Sequence, residues 1–444
     1  MIAKKEIIFT ILAVLVAVLF AKMISIRPTG MPIYAIAGIL VVLITIIDTR
    51  IAIGLLVMSM LLSPEITLAQ VPHRSVVVRF DDLMLALIFF VWLIKTAIDK
   101  KLPLIKRTPI NKYIYYYLAA CFLFTVKGII FGDVRLNQAF FYLLKYTEYF
   151  ILFWMVYNII KTKNDIKLLM TFAVITAIVV MIYGYTKIGT VVAAPFDDEP
   201  GSFGGYLTLV VAVALGIFVY HRALYLKICS FSIFLFSIPL FIRAQSRASY
   251  ISFAVMYISF IFLTGKFRKT LVLIGALTVM IVPTVFSGSI YKTLKERVGY
   301  TFSGNYGRFN IEPSGAARLI SWKNSLINRW IKKPVTGWGI TGVGFIDSQY
   351  VRTLIELGVL GAAAFLLMLY KIFTESRKIL KQTDVDWEKG IITGFMAGFI
   401  ALLFHALTTN TFIIVRIMEP FWFLCAVVFA LPKIHEDMTE TKSC

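Results

Sequence analysis

Charged residues are scarce in this 444-residue chain, 16% of the sequence against about 25% in ordinary soluble domains. With 59% apolar residues and a mean hydropathy of +0.84, more of it needs burial than water can supply, which excludes a soluble globular protein. Acidic residues are the scarcer sign, 24 against 45 basic, leaving a net charge of +21. A nucleic-acid binder gathers such an excess into surface patches. Here the basic residues are dispersed between apolar runs, so no nucleic-acid partner is expected. The four cysteines, Cys121, Cys229, Cys425 and Cys444, form no CxxC pair, and neither a disulfide framework nor a zinc site is read from them. GxxxxGK(S/T) and HExxH motifs are missing as well. No cofactor and no bound metal are expected.

What is present is a succession of apolar runs near the 20 residues that cross a bilayer. They fall near 6–24, 33–47, 51–69, 83–98, 113–131, 140–160, 166–187, 203–220, 223–242, 248–264, 270–286, 350–370, 390–408 and 413–431. The first follows Lys4 and Lys5 like a signal peptide but lacks a small-x-small cleavage site, so it reads as a membrane helix. The runs 33–47 and 51–69 are short and joined only by Asp48-Thr49-Arg50, which makes them a candidate re-entrant hairpin. The fold class is therefore all-α, a polytopic transmembrane bundle of 12–14 spans. Cytoplasmic termini give 23 Lys and Arg in the inner connections and about eight in the short outer loops, the bias expected of a correct topology. Because every inner connection is shorter than about 20 residues, no soluble nucleotide-binding domain fits on that side.

One connection is long, the 63 residues from Ser287 to Gln349 on the expected outer face, and it divides the chain into 1–286, 287–349 and 350–444. It holds Tyr300, Tyr306, Trp322, Trp330 and Trp338. Leu319, Trp322, Leu326 and Trp330 have the spacing of an amphipathic helix over Ala316 to Trp330, so a structured lid over the outer mouth is expected rather than a disordered loop.

Five constellations on this side carry candidate chemistry. Arg243-Ala-Gln-Ser-Arg247-Ala-Ser-Tyr250 sets two arginines where the charge bias disfavours them, and guanidinium forks match phosphate oxygens; the alternative is snorkelling to lipid headgroups. Arg318 lies on the expected loop helix, where a solvated charge is the plainer reading. Asp347, Tyr350, Arg352 and Glu356 enter the outer end of a long apolar helix. Asp347 would accept a proton from a sugar hydroxyl or cap the helix, and Arg352 with Glu356 is an i, i+4 pair. Asp197, Asp198 and Glu199 form an acidic turn, whose plainer reading is solvation rather than Mg²⁺ binding. His405, Asn410, Arg416 and Glu419 gather near the last outer connection. The run Gly337-Trp-Gly339-Ile-Thr-Gly342-Val-Gly344 satisfies GxGxxG in letters, but it has no preceding strand and reads as a shaped loop. Together these residues point to an extracytoplasmic anion carrying sugars or lipid.

In order and spacing, Arg243 to Tyr250, Arg318 with Trp322, Pro334-Val-Thr-Gly337-Trp-Gly339, and Asp347-Ser-Gln-Tyr350 with Glu356-Leu-Gly358-Val-Leu-Gly361 resemble the bacterial O-antigen ligase and O-antigen polymerase superfamily. Leu144-Lys145-Tyr-Thr-Glu148, Gly184-Tyr185 and Gly201 to Tyr206 are similar to the same family, so the likeness covers roughly residues 140–430. The resemblance implies a fold like the class C glycosyltransferases and an inner-membrane enzyme working on the outer face. Its donor would be a glycan on undecaprenyl diphosphate, its acceptor a glycan or lipid, and a chain-length regulator a further partner. By the same resemblance, Arg247 or Arg243 and Arg318 would bind the diphosphate, Arg318 catalytically. From the residues themselves, Asp347 is the expected catalytic base, and Tyr350, Arg352, His405 and Arg416 are secondary candidates. Ligases open the Asp347 helix with a histidine; aspartate there favours a polymerase. A ligase is the alternative within the class, and a transporter of lipid-linked sugars the alternative outside it.

Overall fold

The computed structural model describes residues 31–71, 74–98, 105–187, 190–196, 199–275, 296, 299 and 313–440. The run 6–24, most of the run 270–286, Tyr300, Tyr306, Asp197 and Asp198 lie outside the described residues. In chain order come α1 (Met31–Ile47), α2 (Thr49–Leu62), β1 (Glu65–Val71), β2 (Arg74–Arg79), α3 (Phe80–Ile98), α4 (Asn111–Ile130), α5 (Leu136–Ile159), α6 (Lys163–Thr186) and α7 (Pro200–Tyr220). They are followed by α8 (Leu224–Ala244), α9 (Arg247–Thr264), α10 (Pro313–Asn328), α11 (Gln349–Gln382), α12 (Asp386–His405) and α13 (Val415–Glu440). Among the described residues, nine helices are long and apolar enough to cross a membrane: α4 to α9 and α11 to α13. The chain is an all-α polytopic membrane protein, with β1 and β2 as its one described hairpin, antiparallel and paired from Glu65–Arg79 to Val71–Arg74.

That hairpin corrects the reading of 51–69 as one apolar run. The helix stops at Leu62, because Pro64 follows directly and disfavours helical backbone in Ser63, which is extended (ψ 127°). A second correction concerns 371–389. Instead of a loop, most of it continues α11 to Gln382, with Ile372, Ser376 and Ile379 buried at helical spacing.

Apolar side chains are buried along the axis of α7, α12 and α13, while Phe122, Leu123, Ile182, Phe236 and Phe262 face outward, as helices in hydrocarbon require. One end of the bundle collects the basic connections. There Arg50 bridges Asp48 and Asp165, Lys95 reaches the Thr45 carbonyl, and Arg222 pairs with Asp386. At the other end stand the β-hairpin, α10 and the starts of α7, α9, α11 and α13.

A break interrupts α11 at Gly358 (φ 62°, ψ −170°), and the segment 334–339 inserts alongside it. Val359 and Leu360 amides donate to the Pro334 and Val335 carbonyls, while Trp338 and Gly339 amides donate to the Ile355 and Glu356 carbonyls. Backbone groups freed by the break are thereby satisfied from a neighbouring segment, as unwound backbone at membrane depth must be. A Cβ at Gly337 or Gly358 would overlap the facing backbone, and both have positive φ, so glycine is required at each. Lys333 with Asp133, Lys127 with Thr336, and the Ile340 amide on Thr125 Oγ1 (3.1 Å) anchor the inserted segment to α4 and the turn after it.

Candidate functional site

At the α10 end a cavity of about 580 Å³ opens, with Arg247, Arg318, Arg352 and Asp347 in its wall. Local turns carry these groups there. Gln245 at the C-terminus of α8 adopts the left-handed conformation (φ 50°), so the chain reverses at once and α9 starts at Arg247. Ser246 caps α9, its side chain accepting from the Ser249 amide, and the Tyr250 hydroxyl donates back to the Ile242 carbonyl at 2.6 Å. Arg247 then donates to Ser314 Oγ (3.0 Å) at the start of α10, and Arg318, one turn on, meets Asp347 at 3.2 Å. The N-cap of α11 is Ser348, so Asp347 stands one residue outside the helix and ion-pairs instead of capping it.

Gln349 stitches this start of α11 to the α12–α13 connection. Its amide donates to the Ala406 and Thr409 carbonyls and its Oε1 accepts from Phe412, while Asn410 Nδ2 donates to the Ile346 carbonyl. Arg352, 4% exposed, holds Glu356 through Nε (3.1 Å) and lies 5.9 Å from the Tyr142 ring centroid, also in the cavity wall. The wall further includes Glu199, Pro200 and Gly201 at the start of α7, and Ser246 to Ala248 at the start of α9. A helix N-terminus carries roughly half a positive charge and forward-pointing amides. Among the described residues, the cavity wall thus brings helix starts and three guanidiniums together with two carboxylates, Asp347 and Glu199.

The remaining candidates stand elsewhere. Arg243, at the end of α8, is half-buried and is not among the residues in the cavity wall, although Ala244 and Gln245 beside it are. Tyr350 donates its hydroxyl to the Leu403 carbonyl (2.7 Å). His405 is fully buried against Thr411 Oγ1 (2.8 Å) and Thr409 Oγ1 (3.2 Å). Arg416 is buried too and donates to the Leu61, Pro195 and Phe196 carbonyls, tying α13 to α2 and to the segment before α7. The acidic turn contributes Glu199 alone among the described residues.

One charged cluster was not foreseen. Arg79, at the end of β2, sits 2.5 Å from Asp81, 3.5 Å from Glu419 and 3.6 Å from Asp82, and Lys145 lies 3.9 Å from Asp82. Burial alone would lower Arg79, but the carboxylates around it outweigh that and raise it, so it stays charged. The carboxylates of Asp81, Asp82 and Glu419 have oxygens within 4.8 Å of one another, with the guanidinium among them as counter-ion. The sequence signal was charge at the edge of an apolar run, Arg79-Phe-Asp81-Asp82, where buried charge needs a partner.

A polytopic helical membrane protein with an arginine-walled cavity at one mouth is the class that this geometry defines. Residues 232–366 match the family model described as O-antigen ligase, which spans the Arg247 turn, the Arg318 helix and the first half of α11. The match supports the O-antigen ligase and polymerase superfamily, enzymes that transfer glycosyl groups from lipid-linked glycans. Comparison with curated proteins gave no match.

Proposed function

We propose that this protein is an inner-membrane polymerase of O-antigen- or exopolysaccharide-type repeat units, using undecaprenyl-diphosphate-linked glycan on the outer leaflet. The observation that carries the reading is the convergence of Arg247, Arg318 and Arg352 with two helix starts on one cavity that also holds Asp347. Nothing in that set activates a nucleotide; it is suited to a leaving group that gathers negative charge. In the proposed reaction the acceptor hydroxyl oxygen attacks the anomeric carbon of the donor sugar. The bond from that carbon to the diphosphate oxygen breaks, and the lipid diphosphate departs with the electron pair. Arg247 and Arg318 stabilise the charge that develops on it. Asp347 orients the acceptor hydroxyl and takes its proton. Its ion pair with Arg318 holds it in place at the cavity wall, and diphosphate binding to Arg318 would release it for that work.

The test is incubation of the purified full-length protein in lipid nanodiscs with an undecaprenyl-diphosphate oligosaccharide from a producing bacterium. Chain lengthening without nucleotide sugar is expected. Transfer only to an added lipid or protein acceptor would make it a ligase, and transbilayer movement alone would make it a transporter.

A further inference from the structure

Arg352 and Glu356 at i, i+4 on a helix would ordinarily be a local pair with no wider meaning. The structure gives this pair a third member. Glu356 Oε1 accepts from Arg352 Nε at 3.1 Å and from the Thr341 amide at 3.1 Å, so one carboxylate oxygen joins a guanidinium in the cavity wall to the segment inserted at the α11 break. Arg352 and Glu356 are both at least 95% buried, so removing either one leaves the other's charge without its partner. Thr341 holds a positive φ of 69°, a conformation that a β-branched residue takes only when its surroundings impose it. What imposes it is the docking of 334–339 against Ile355 to Leu360 and the Ile340 amide on Thr125.

Holding Nε fixes the plane of the guanidinium and leaves its terminal NH₂ groups unengaged by Glu356, the part of the fork that grips phosphate oxygens in pairs. The Tyr142 ring lies 5.9 Å from the same guanidinium. We infer that Glu356 is a positioning residue: it takes its place from the inserted 334–341 segment and sets the direction in which Arg352 faces the substrate anion. The inference rests on the glycan-transfer reading of the cavity. It makes the helix break part of the reacting assembly, because the break is what lets the segment reach the carboxylate.

A double-mutant cycle on full-length protein in nanodiscs tests this, reading kcat and KM for transfer from the lipid-linked oligosaccharide together with binding of undecaprenyl diphosphate by native mass spectrometry. Arg352→Ala is expected to lower kcat about 10²-fold, as loss of one charge-stabilising donor does. Glu356→Ala should lower kcat about tenfold with KM changed less than about threefold, and Arg352→Ala/Glu356→Ala should be no worse than Arg352→Ala alone. Glu356→Gln keeps an oxygen for both donors and should recover kcat to within about threefold of the parent. If Glu356→Ala does not accumulate, Glu356→Asp, too short to meet both donors, takes its place in the cycle. Multiplying losses in the double variant, or a glutamine variant as slow as the alanine one, overturn the inference. Arg318→Ala separates the two levels. Transfer lost in Arg318→Ala with an additive Arg352/Glu356 cycle removes this inference alone, whereas neither transfer nor diphosphate binding by the parent removes the glycan-transfer reading with it.

Discussion

Arg416 and Arg318 stand at the same end of the bundle, and the fold treats them in opposite ways. Arg416 is 3% exposed, and its guanidinium is spent on three backbone carbonyls from two other segments. Arg79 is buried to the same degree among carboxylates. Arg318 has 36% of its side chain exposed and opens onto the cavity opposite a carboxylate that is itself 30% exposed. The buried pair has its acceptors built into the protein, so its work is holding helices together. The open group keeps faces of its fork available to a ligand. Such arginines thus divide into two kinds, and what separates them is access to the cavity rather than burial alone: Arg352, though buried, meets Glu356 through Nε and lies in the cavity wall with Arg318.

Substitutions should break along the same line. Arg416→Ala leaves three carbonyls without their donor and is expected to cost roughly 4 kcal/mol or more, seen as lost folded yield and a lower unfolding temperature in detergent. An unchanged melting profile would mean that Arg416 does not bind the fold together. Arg318→Ala should do the reverse: transfer falls about 10²- to 10³-fold while stability changes by less than about 1 kcal/mol, since its ion pair is solvated. Asp347→Asn is expected to slow transfer about 10²-fold without weakening undecaprenyl diphosphate binding, because Arg318 is then released from its carboxylate. Weaker binding in that variant would shift Asp347 from the acceptor to the donor. Smallest of all, Tyr350→Phe removes one hydroxyl-to-carbonyl bond, about 1 kcal/mol of stability, and should leave turnover per folded molecule unchanged.

Sequence alone carried much of the architecture. Most apolar runs within the described residues became helices with ends within a few residues, while α2 stops short of its run and α11 and α13 continue past theirs. The spacing from Leu319 to Trp330 marked a helix that ends earlier, Pro313–Asn328; its Trp322 and Leu326 pack with Trp330 over Val343, Ile346 and Ile355, whereas Leu319 is exposed. The turn at Arg243 to Tyr250 and the start of α11 were legible because polar residues interrupt apolar ones there. Three features were not. The β-hairpin hid in the tail of an apolar run, since hydropathy does not distinguish a strand from a helix end. The α11 break carries no mark of its own beyond a glycine, and the segment that stabilises it begins more than 20 residues earlier, so Gly337 and Gly358 acquire meaning only when placed face to face. The Arg79 cluster draws on β2, α3, α5 and α13, a convergence that spacing along the chain cannot express. Among the candidate site residues, Arg247, Arg318, Arg352 and Asp347 share the cavity wall, while Tyr350, His405 and Arg416 are committed to backbone or buried hydroxyl partners.

The central claim is that the open arginines hold a lipid diphosphate, and its most direct measurement is binding rather than turnover. Full-length protein and the Arg247→Ala/Arg318→Ala variant, each in nanodiscs, would be titrated with undecaprenyl diphosphate and undecaprenyl monophosphate and read by native mass spectrometry. The parent should prefer the diphosphate, and the variant should lose at least about tenfold in affinity for it while its monophosphate binding changes little. Equal diphosphate binding by parent and variant, both folded, would contradict the account.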